Sequence, residues 1–207
     1  VLAGTVNNLC LIDRYDGDSG FRLYIRGGAS STDDNNSVRF RIGHGTDNEE
    51  NNSDKMKIDT TGTWYYIVGV FDGTNILIYI NGVEAASEPL GATQIGDNPS
   101  DDLKVAGESE SSDKNVNGLI DEVRVWNSER SADDIKDQMF KPLAGDESGL
   151  VGYWNFNDLA DVASDSSANS FDGTINGPTY RLSTVFDTMQ YVSSAMAQKN
   201  VYTSANS

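Results

Sequence analysis

The chain of 207 residues has one cysteine, one histidine and four prolines, and its 32 acidic side chains outnumber its 15 basic ones. Each scarcity excludes something. A single cysteine, Cys10, allows neither an internal disulfide framework nor a cysteine metal cluster, and its apolar neighbours Leu9, Leu11 and Ile12 make it a buried, inert thiol. The one histidine, His44, lies in a polar Gly-His-Gly loop; it cannot build a histidine zinc site, and a Ser-His-Asp arrangement would rest on it alone, so it reads as an exposed turn residue. A formal net charge of −17 opposes a phosphate backbone and favours cations or neutral ligands, which excludes nucleic acid as a partner. No apolar run approaches the roughly 18 residues of a membrane span, so membrane insertion is excluded too. There is no P-loop and no Gly-x-Gly-x-x-Gly, which removes nucleotide chemistry. The opening Val-Leu-Ala-Gly has no initiator methionine and no targeting pattern, so the chain reads as a piece of something longer.

What is present is enough to fold: 37% hydrophobic residues, 9% aromatic, against 23% charged. Short strand-like runs separated by Gly, Asn, Asp and Ser clusters give the pattern of an all-β sandwich. Phe21, Leu23 and Ile25 alternate with Arg22, Tyr24 and Arg26, and Val38, Phe40 and Ile42 alternate with Arg39 and Arg41, so both segments bury one face and wet the other. Trp64 to Phe71, an Asp72-Gly73 turn, Ile76 to Ile80, an Asn81-Gly82 turn and Val83 to Ala86 predict a three-strand meander, the Asn-Gly pair being suited to a type I′ hairpin. Further strands are expected at Leu103 to Ala106, Leu119 to Trp126, Leu150 to Phe156 and Phe171 to Ile175. One helix is signalled, about 132 to 140, with Ser131 as N-cap, Asp133 and Asp134 in the first turn, and Ile135 with Met139 as an apolar pair.

Three stretches carry a family resemblance that covers roughly Asn7 to Tyr180. Gly62-Thr-Trp-Tyr-Tyr-Ile-Val-Gly-Val-Phe-Asp-Gly-Thr with Leu77-Ile-Tyr-Ile-Asn-Gly-Val, then Asn117-Gly-Leu-Ile-Asp-Glu-Val-Arg-Val-Trp-Asn, then Ser128-Glu-Arg-Ser-Ala-Asp-Asp-Ile resemble the laminin G-like, concanavalin A-like superfamily that includes pentraxins. The resemblance implies a two-sheet antiparallel jelly-roll sandwich with one short helix. Gly149-Leu-Val-Gly-Tyr-Trp-Asn-Phe-Asn-Asp and Asp165-Ser-Ser-Ala-Asn-Ser-Phe-Asp-Gly-Thr-Ile are similar to segments flanking such modules in large secreted bacterial proteins. That implies a secreted or cell-surface multidomain parent. Relatives carry one or two strands before the equivalent of Leu9 to Ile12; here eight residues precede it, so a first strand is expected to be missing, its place open to Leu150 to Phe156 or to another molecule. The organisation read from this is a sandwich over 1–145, flanking strands packed on or completing it over 146–182, and a linker or the start of a next domain over 183–207.

Candidate chemistry centres on Glu108-Ser-Glu110-Ser-Ser-Asp113 and Asp121. Ca²⁺ needs six to eight oxygen ligands, roughly, which acidic loops supply. The resemblance to pentraxin-like relatives places Glu108 and Glu110 as ligands by position, with Asn7 or Asn8 as partners from an early strand; Asp113 and Asp121 complete the candidate set. A solvated acidic loop accounts for the same residues. Some relatives are glycan-cleaving hydrolases with paired carboxylates, but Glu108-x-Glu110-x-x-Asp113 has the spacing without the residue types, and Asp121 and Glu122, adjacent on a strand, point to opposite faces. Carbohydrate binding calls for exposed rings and planar polar groups. Trp64, Trp126 and Trp154 sit in apolar strands and read as core; Tyr24, Tyr66 and Tyr79 are the sheet-face candidates, and Arg22 and Arg39, with Arg26 and Arg41, form a basic stripe suited to an anionic glycan or simply a solvated face. The reading is a non-catalytic extracellular module that recognises glycan or a cell-surface protein, with Ca²⁺ holding a loop; the alternatives are a structural or adhesive spacer and, behind it, a glycan-cleaving enzyme.

Overall fold

The computed structural model describes residues 8–27, 36–45, 48–58, 60, 62–91, 94–97, 101–108, 116, 118–157, 162–176, 179–182 and 200–203. They fall into two compact units, Val1–Val116 with Glu129–Met139, and Asn117–Ser128 with Phe140–Ser207. Strands in antiparallel sheets and one short helix make up the regular structure.

In the first unit, β1 (Leu9–Tyr15), β2 (Ser19–Ile25), β3 (Ser37–His44), β4 (Asn48–Lys57), β5 (Ile67–Phe71), β6 (Asn75–Ile80), β7 (Val83–Pro89) and β8 (Lys104–Val105) form a five-stranded sheet in the order β4-β3-β2-β1-β8 and a three-stranded sheet in the order β5-β6-β7. The expected alternation decides the faces. Val38 and Ile42 on β3 are without exposure, as are Ile76, Ile78 and Ile80 on β6 to within 1%. Phe40 packs directly on the backbone of the facing sheet: a Cβ at Gly69 would lie 2.6 Å from its ring. β1 carries a bulge between Cys10 and Ile12, which rotates its alternation so that Cys10 pairs opposite Tyr24 while Ile12 pairs opposite Leu23. Without that extra residue, Cys10 and Ile12 would share a face.

The meander forms as the turn residues dictate. Asn81 and Gly82 both have positive φ, 53° and 75°, the left-handed pair of a type I′ turn. Asp72 Oδ1 accepts from Thr74 N at 2.8 Å and Asn75 N at 2.6 Å, and Gly73 takes φ 88°. The first strand of the meander starts at Ile67 rather than Trp64, because Tyr66 N donates to the Asn81 side chain and Asn81 N to the Tyr66 carbonyl, tying that residue to the turn instead of the ladder. The outer face of this sheet, with Tyr66, Val68, Val70, Leu77 and Tyr79, packs around Ile135 of α1 (Ala132–Gln138). Ser131 caps the helix: its hydroxyl accepts from Asp134 N, and Asp134 returns the bond to Ser131 N, a reciprocal box. β4, rich in Asn, Glu and Asp, was invisible to hydrophobic patterning.

In the second unit, β9 (Leu119–Ile120), β10 (Val123–Trp126), β11 (Leu150–Trp154), β12 (Val162–Ala163), β13 (Gly173–Thr174), β14 (Thr179–Leu182) and β15 (Asn200–Thr203) pair as β10-β11, β12-β13 and β14-β15-β9. The continuous strand expected over Leu119 to Trp126 is broken at Asp121-Glu122, where Glu122 has φ 57°. Leu119–Trp126 therefore supplies two short strands whose carboxylates sit in the break.

Gly69→Ala is expected to lower stability by about 1–3 kcal/mol through overpacking against Phe40, and Phe40→Leu combined with it to recover part of the loss. Urea midpoints of the two single variants and the double variant measure this; strictly additive losses would show that the two residues do not press on one another.

Candidate functional site

The candidate site lies on the polar face of the five-stranded sheet. Register sets five charged residues in one row across it: Glu50 of β4 opposite Arg41 of β3, Arg41 opposite Arg22 of β2, Arg22 opposite Asp13 of β1, and Asp13 opposite Lys104 of β8. Two arginines directly opposite would repel. Neutralisation comes from two carboxylates on Arg22: Nε donates to Asp13 Oδ1 at 2.8 Å and Nη2 to Asp13 Oδ2 at 3.3 Å, while Nη1 meets Glu108 Oε2 at 3.1 Å. The three side chains are 7%, 0% and 1% exposed. Burial works against the Arg22 charge, but the hydrogen bond and charge of Asp13 and the charge of Glu108 outweigh it, so its pKa is raised. Tyr15 supports both arginines, with the guanidinium carbons of Arg22 and Arg41 at 5.2 Å and 5.8 Å from its ring centre, and Arg41 also lies 5.9 Å from the ring of Tyr24. Burial raises the Tyr15 pKa against the pull of the two arginines.

The expected ligand residues are divided between two surfaces. Arg22, Tyr24 and Arg39 lie on this polar face and all three are buried; Tyr66 and Tyr79 lie on the outer face of the other sheet, against Ile135. Tyr79 is buried, with its hydroxyl 3.5 Å from Glu84. Arg41, half-buried, and Lys104, half-buried, are the accessible cations of the row. Of the tryptophans read as core, Trp154 is buried and Trp64 and Trp126 are half-buried. Cys10 is buried as expected, whereas His44 ends β3 and is half-buried, not an exposed loop residue.

Of the expected calcium ligands, Asn7, Glu110 and Asp113 lie outside the described residues. Glu108 is bonded to Arg22; Asn8 Oδ1 accepts from Gly27 N at 3.2 Å; Asp121, in the second unit, accepts from Glu122 N at 2.9 Å. Among the described residues no group of three or more His, Cys, Asp or Glu is arranged to hold a metal. The described members of the set therefore do not make a cation cage among themselves.

The profile of the concanavalin A-like lectin/glucanase superfamily matches residues 5–136. The chain belongs to this superfamily. A solved structure of a candidate carbohydrate-binding protein from Bacteroides ovatus ATCC 8483 is similar to it, at a TM-score of 0.65 and 22% identity over 85% of this chain and 49% of that one. The chain thus spans about half of that relative's length. An S-layer domain-containing protein of Clostridium thermocellum ATCC 27405 (residues 221–444) aligns at 20% identity over 66% of this chain and 65% of that one, with a TM-score of 0.30. No curated protein matches the chain. No helix among the described residues is long and apolar enough to cross a membrane.

Two carboxylates in the second unit have roles that the sequence did not reveal. Asp165 is a structural anchor: Oδ1 accepts from Tyr153 N and Ser167 N, and Oδ2 from the Ser167 hydroxyl and Phe171 N, each at 2.8 Å. Burial would raise its pKa, but the bonds from Tyr153, Ser167 and Phe171 outweigh it and the pKa is lowered. Glu122 Oε2 accepts from the Tyr153 hydroxyl at 2.8 Å and from Arg124 Nη2 at 2.7 Å, and burial with the Glu122 charge holds the Tyr153 pKa well above its ordinary value.

Arg22→Met is expected to cost about 3–5 kcal/mol, because two buried carboxylates lose their shared counter-charge. Changing Asp13, Arg22 and Glu108 together to apolar residues of similar size should cost far less; equal losses would show that the triad's charges are not coupled. Asp165, with a lowered folded pKa, adds stability above the ordinary carboxylate range that disappears as pH falls through its folded value. Denaturation midpoints measured from about pH 5 to about pH 2 should therefore fall more steeply for the native protein than for Asp165→Asn.

Proposed function

We propose that this chain is a non-catalytic carbohydrate-binding module of an extracellular multidomain protein, and that it meets glycan at the accessible cations of the charged row, Arg41 and Lys104. The carrying observation is the row itself. In a chain of net charge −17 it sets cationic donors across one sheet face, with Arg41 braced by the rings of Tyr15 and Tyr24. A guanidinium held against aromatic rings is pre-organised to donate to ring hydroxyls, carboxylates or sulfates, so the ligand class that fits best is an anionic glycan. Membership of a superfamily that contains lectins and the likeness to a candidate carbohydrate-binding protein support the same reading.

Hydrolysis is disfavoured. Glycosidases need one carboxyl group kept protonated and a second free to act on the sugar. Asp13 and Glu108 are instead shared counter-ions of Arg22, nearly without exposure. A second reading, a structural or adhesive spacer, draws on the burial of Arg22, Arg39, Tyr15 and Tyr24, which makes this face a packed layer over much of its area. A loop calcium ion belongs to the proposal on the strength of the acidic sequence from Glu108 to Asp113.

Thermal melts with neutral and anionic oligosaccharides, with calcium or EDTA, separate the readings. An anionic glycan should raise the melting midpoint, and Arg41→Ala should lose most of that rise while leaving the ligand-free midpoint within a few degrees. No response to any sugar would favour the spacer. EDTA should lower the midpoint, and an unchanged midpoint removes calcium from the proposal.

A further inference from the structure

The superfamily match ends at residue 136, yet the strand partner of β10 comes from beyond it. β10 pairs antiparallel with β11, setting Val123 opposite Trp154, Arg124 opposite Tyr153, Val125 opposite Gly152 and Trp126 opposite Leu150. Residues 117–128, inside the match, cluster with 140–207 and not with the rest of the matched region.

The pairing is specified by more than its ladder. Glu122, a non-glycine residue at φ 57°, holds a conformation that costs about 1–3 kcal/mol and persists only where its surroundings fix it. Local bonds and the incoming strand share in fixing it: Glu122 N donates to Asp121 Oδ1, Arg124 of β10 donates to Glu122 Oε2, the Tyr153 hydroxyl of β11 donates to the same oxygen, and the Arg124 guanidinium lies 5.5 Å from the Tyr153 ring centre. Arg124 also donates to the Lys141 carbonyl at 2.6 Å, and Asn127 N to the Gly149 carbonyl at 2.9 Å. Gly149 is required where it stands, since at φ 85° a Cβ there would lie 2.3 Å from Ser128 Oγ.

The far edge of β11 is closed by its own sequence. Ser166 N donates to the Tyr153 carbonyl, Asn169 Nδ2 to the Val151 carbonyl, Asp165 accepts from Tyr153 N, and the Trp154 indole donates to the Phe171 carbonyl. A Cβ at Gly145 would lie 2.1 Å from the Ser166 carbonyl oxygen, so this loop and the turn before β11 are fitted to one another. Residues 143–157 and 162–171 are thus a strand with its own clasp: one edge self-satisfied, the other presenting its backbone and Tyr153 to β10.

We propose that β10, with Glu122 and Arg124, is an acceptor site for an added strand, and that its occupant is the segment 143–171 of this chain, held as an intramolecular ligand. The region that matches the superfamily then depends on residues outside the match. This inference is independent of the glycan reading.

The test uses the whole chain with a protease site inserted between Met139 and Phe140, where the two units meet in sequence, cut after folding. The two pieces should stay together on size exclusion under native conditions and take up a labelled 140–207 piece added in excess. Because β15 also pairs with β9, variants isolate the contribution of β11. Tyr153→Phe, which keeps the ring and the ladder and loses the hydroxyl's bond to Glu122 together with the longer one it accepts from Leu143 N at 3.4 Å, should weaken the association by roughly tenfold, as expected for a hydrogen bond to a charged group. Glu122→Gln should act in the same direction, and amide exchange at Val123 and Val125 should speed in both. Separation of the pieces on cutting with the 1–139 piece keeping the intact midpoint would overturn the proposal, as would variants that associate as tightly as the native pair.

Discussion

Arg22 brings a full positive charge into a nearly solvent-free layer, and much of the five-stranded sheet is arranged around that fact. A buried ion must be paired, and its remaining donors must be satisfied. Asp13 meets the need from the neighbouring strand and Glu108 from beyond β8, so that three separate chain segments are pinned to one guanidinium. The bulge in β1 belongs to the same arrangement: with its extra residue between Cys10 and Ile12, Cys10 opposite Tyr24 and Asp13 opposite Arg22 lie on one face. Neutralised in this way, Arg22 can stand opposite Arg41.

The second unit solves the opposite problem with the same rule. Its buried Asp165 is satisfied by backbone amides and a hydroxyl rather than by a cation. Asp165 takes four hydrogen bonds, three from main-chain nitrogens of Tyr153, Ser167 and Phe171, and so closes the Asp/Ser/Asn-rich loop onto β11 without a cation. Glu122 takes a hydroxyl and a guanidinium and sits in a left-handed conformation to do so. What looked like solvated, low-information sequence is a set of anchors whose function is to order backbone.

How much of this was legible depended on which interaction did the specifying. The meander, the Asn81-Gly82 turn, the alternation of β2 and β3 and the capped helix at Ser131 are local, so composition and spacing reported them. The superfamily was legible for the same reason, since its motifs are turns and strands of fixed spacing. β4 was not, because a strand can be written in Asn, Glu and Asp when pairing and not packing recruits it. The site was legible only by halves. Alternation put Arg22, Tyr24, Arg39 and Arg41 on one face correctly, but it carries no information on whether a face is covered, and Tyr66 and Tyr79 belong to a different surface. Asp13 could have been found: counted from the Asp16-Gly17-Asp18 turn between β1 and β2, it stands opposite Arg22.

The same division bears on Glu108, read in the sequence as a metal ligand and found in space beside Arg22. In sequence it leads an acidic loop, and an acidic loop is what a hard cation needs. In space its carboxylate is committed to a guanidinium, which supplies the positive charge a cation would have brought. The acidity of this chain is therefore a poor guide to its chemistry at the sheet face. There Asp13 and Glu108 hold Arg22 in place, and Arg41, half-buried against the rings of Tyr15 and Tyr24, is the cation on which the proposed recognition rests.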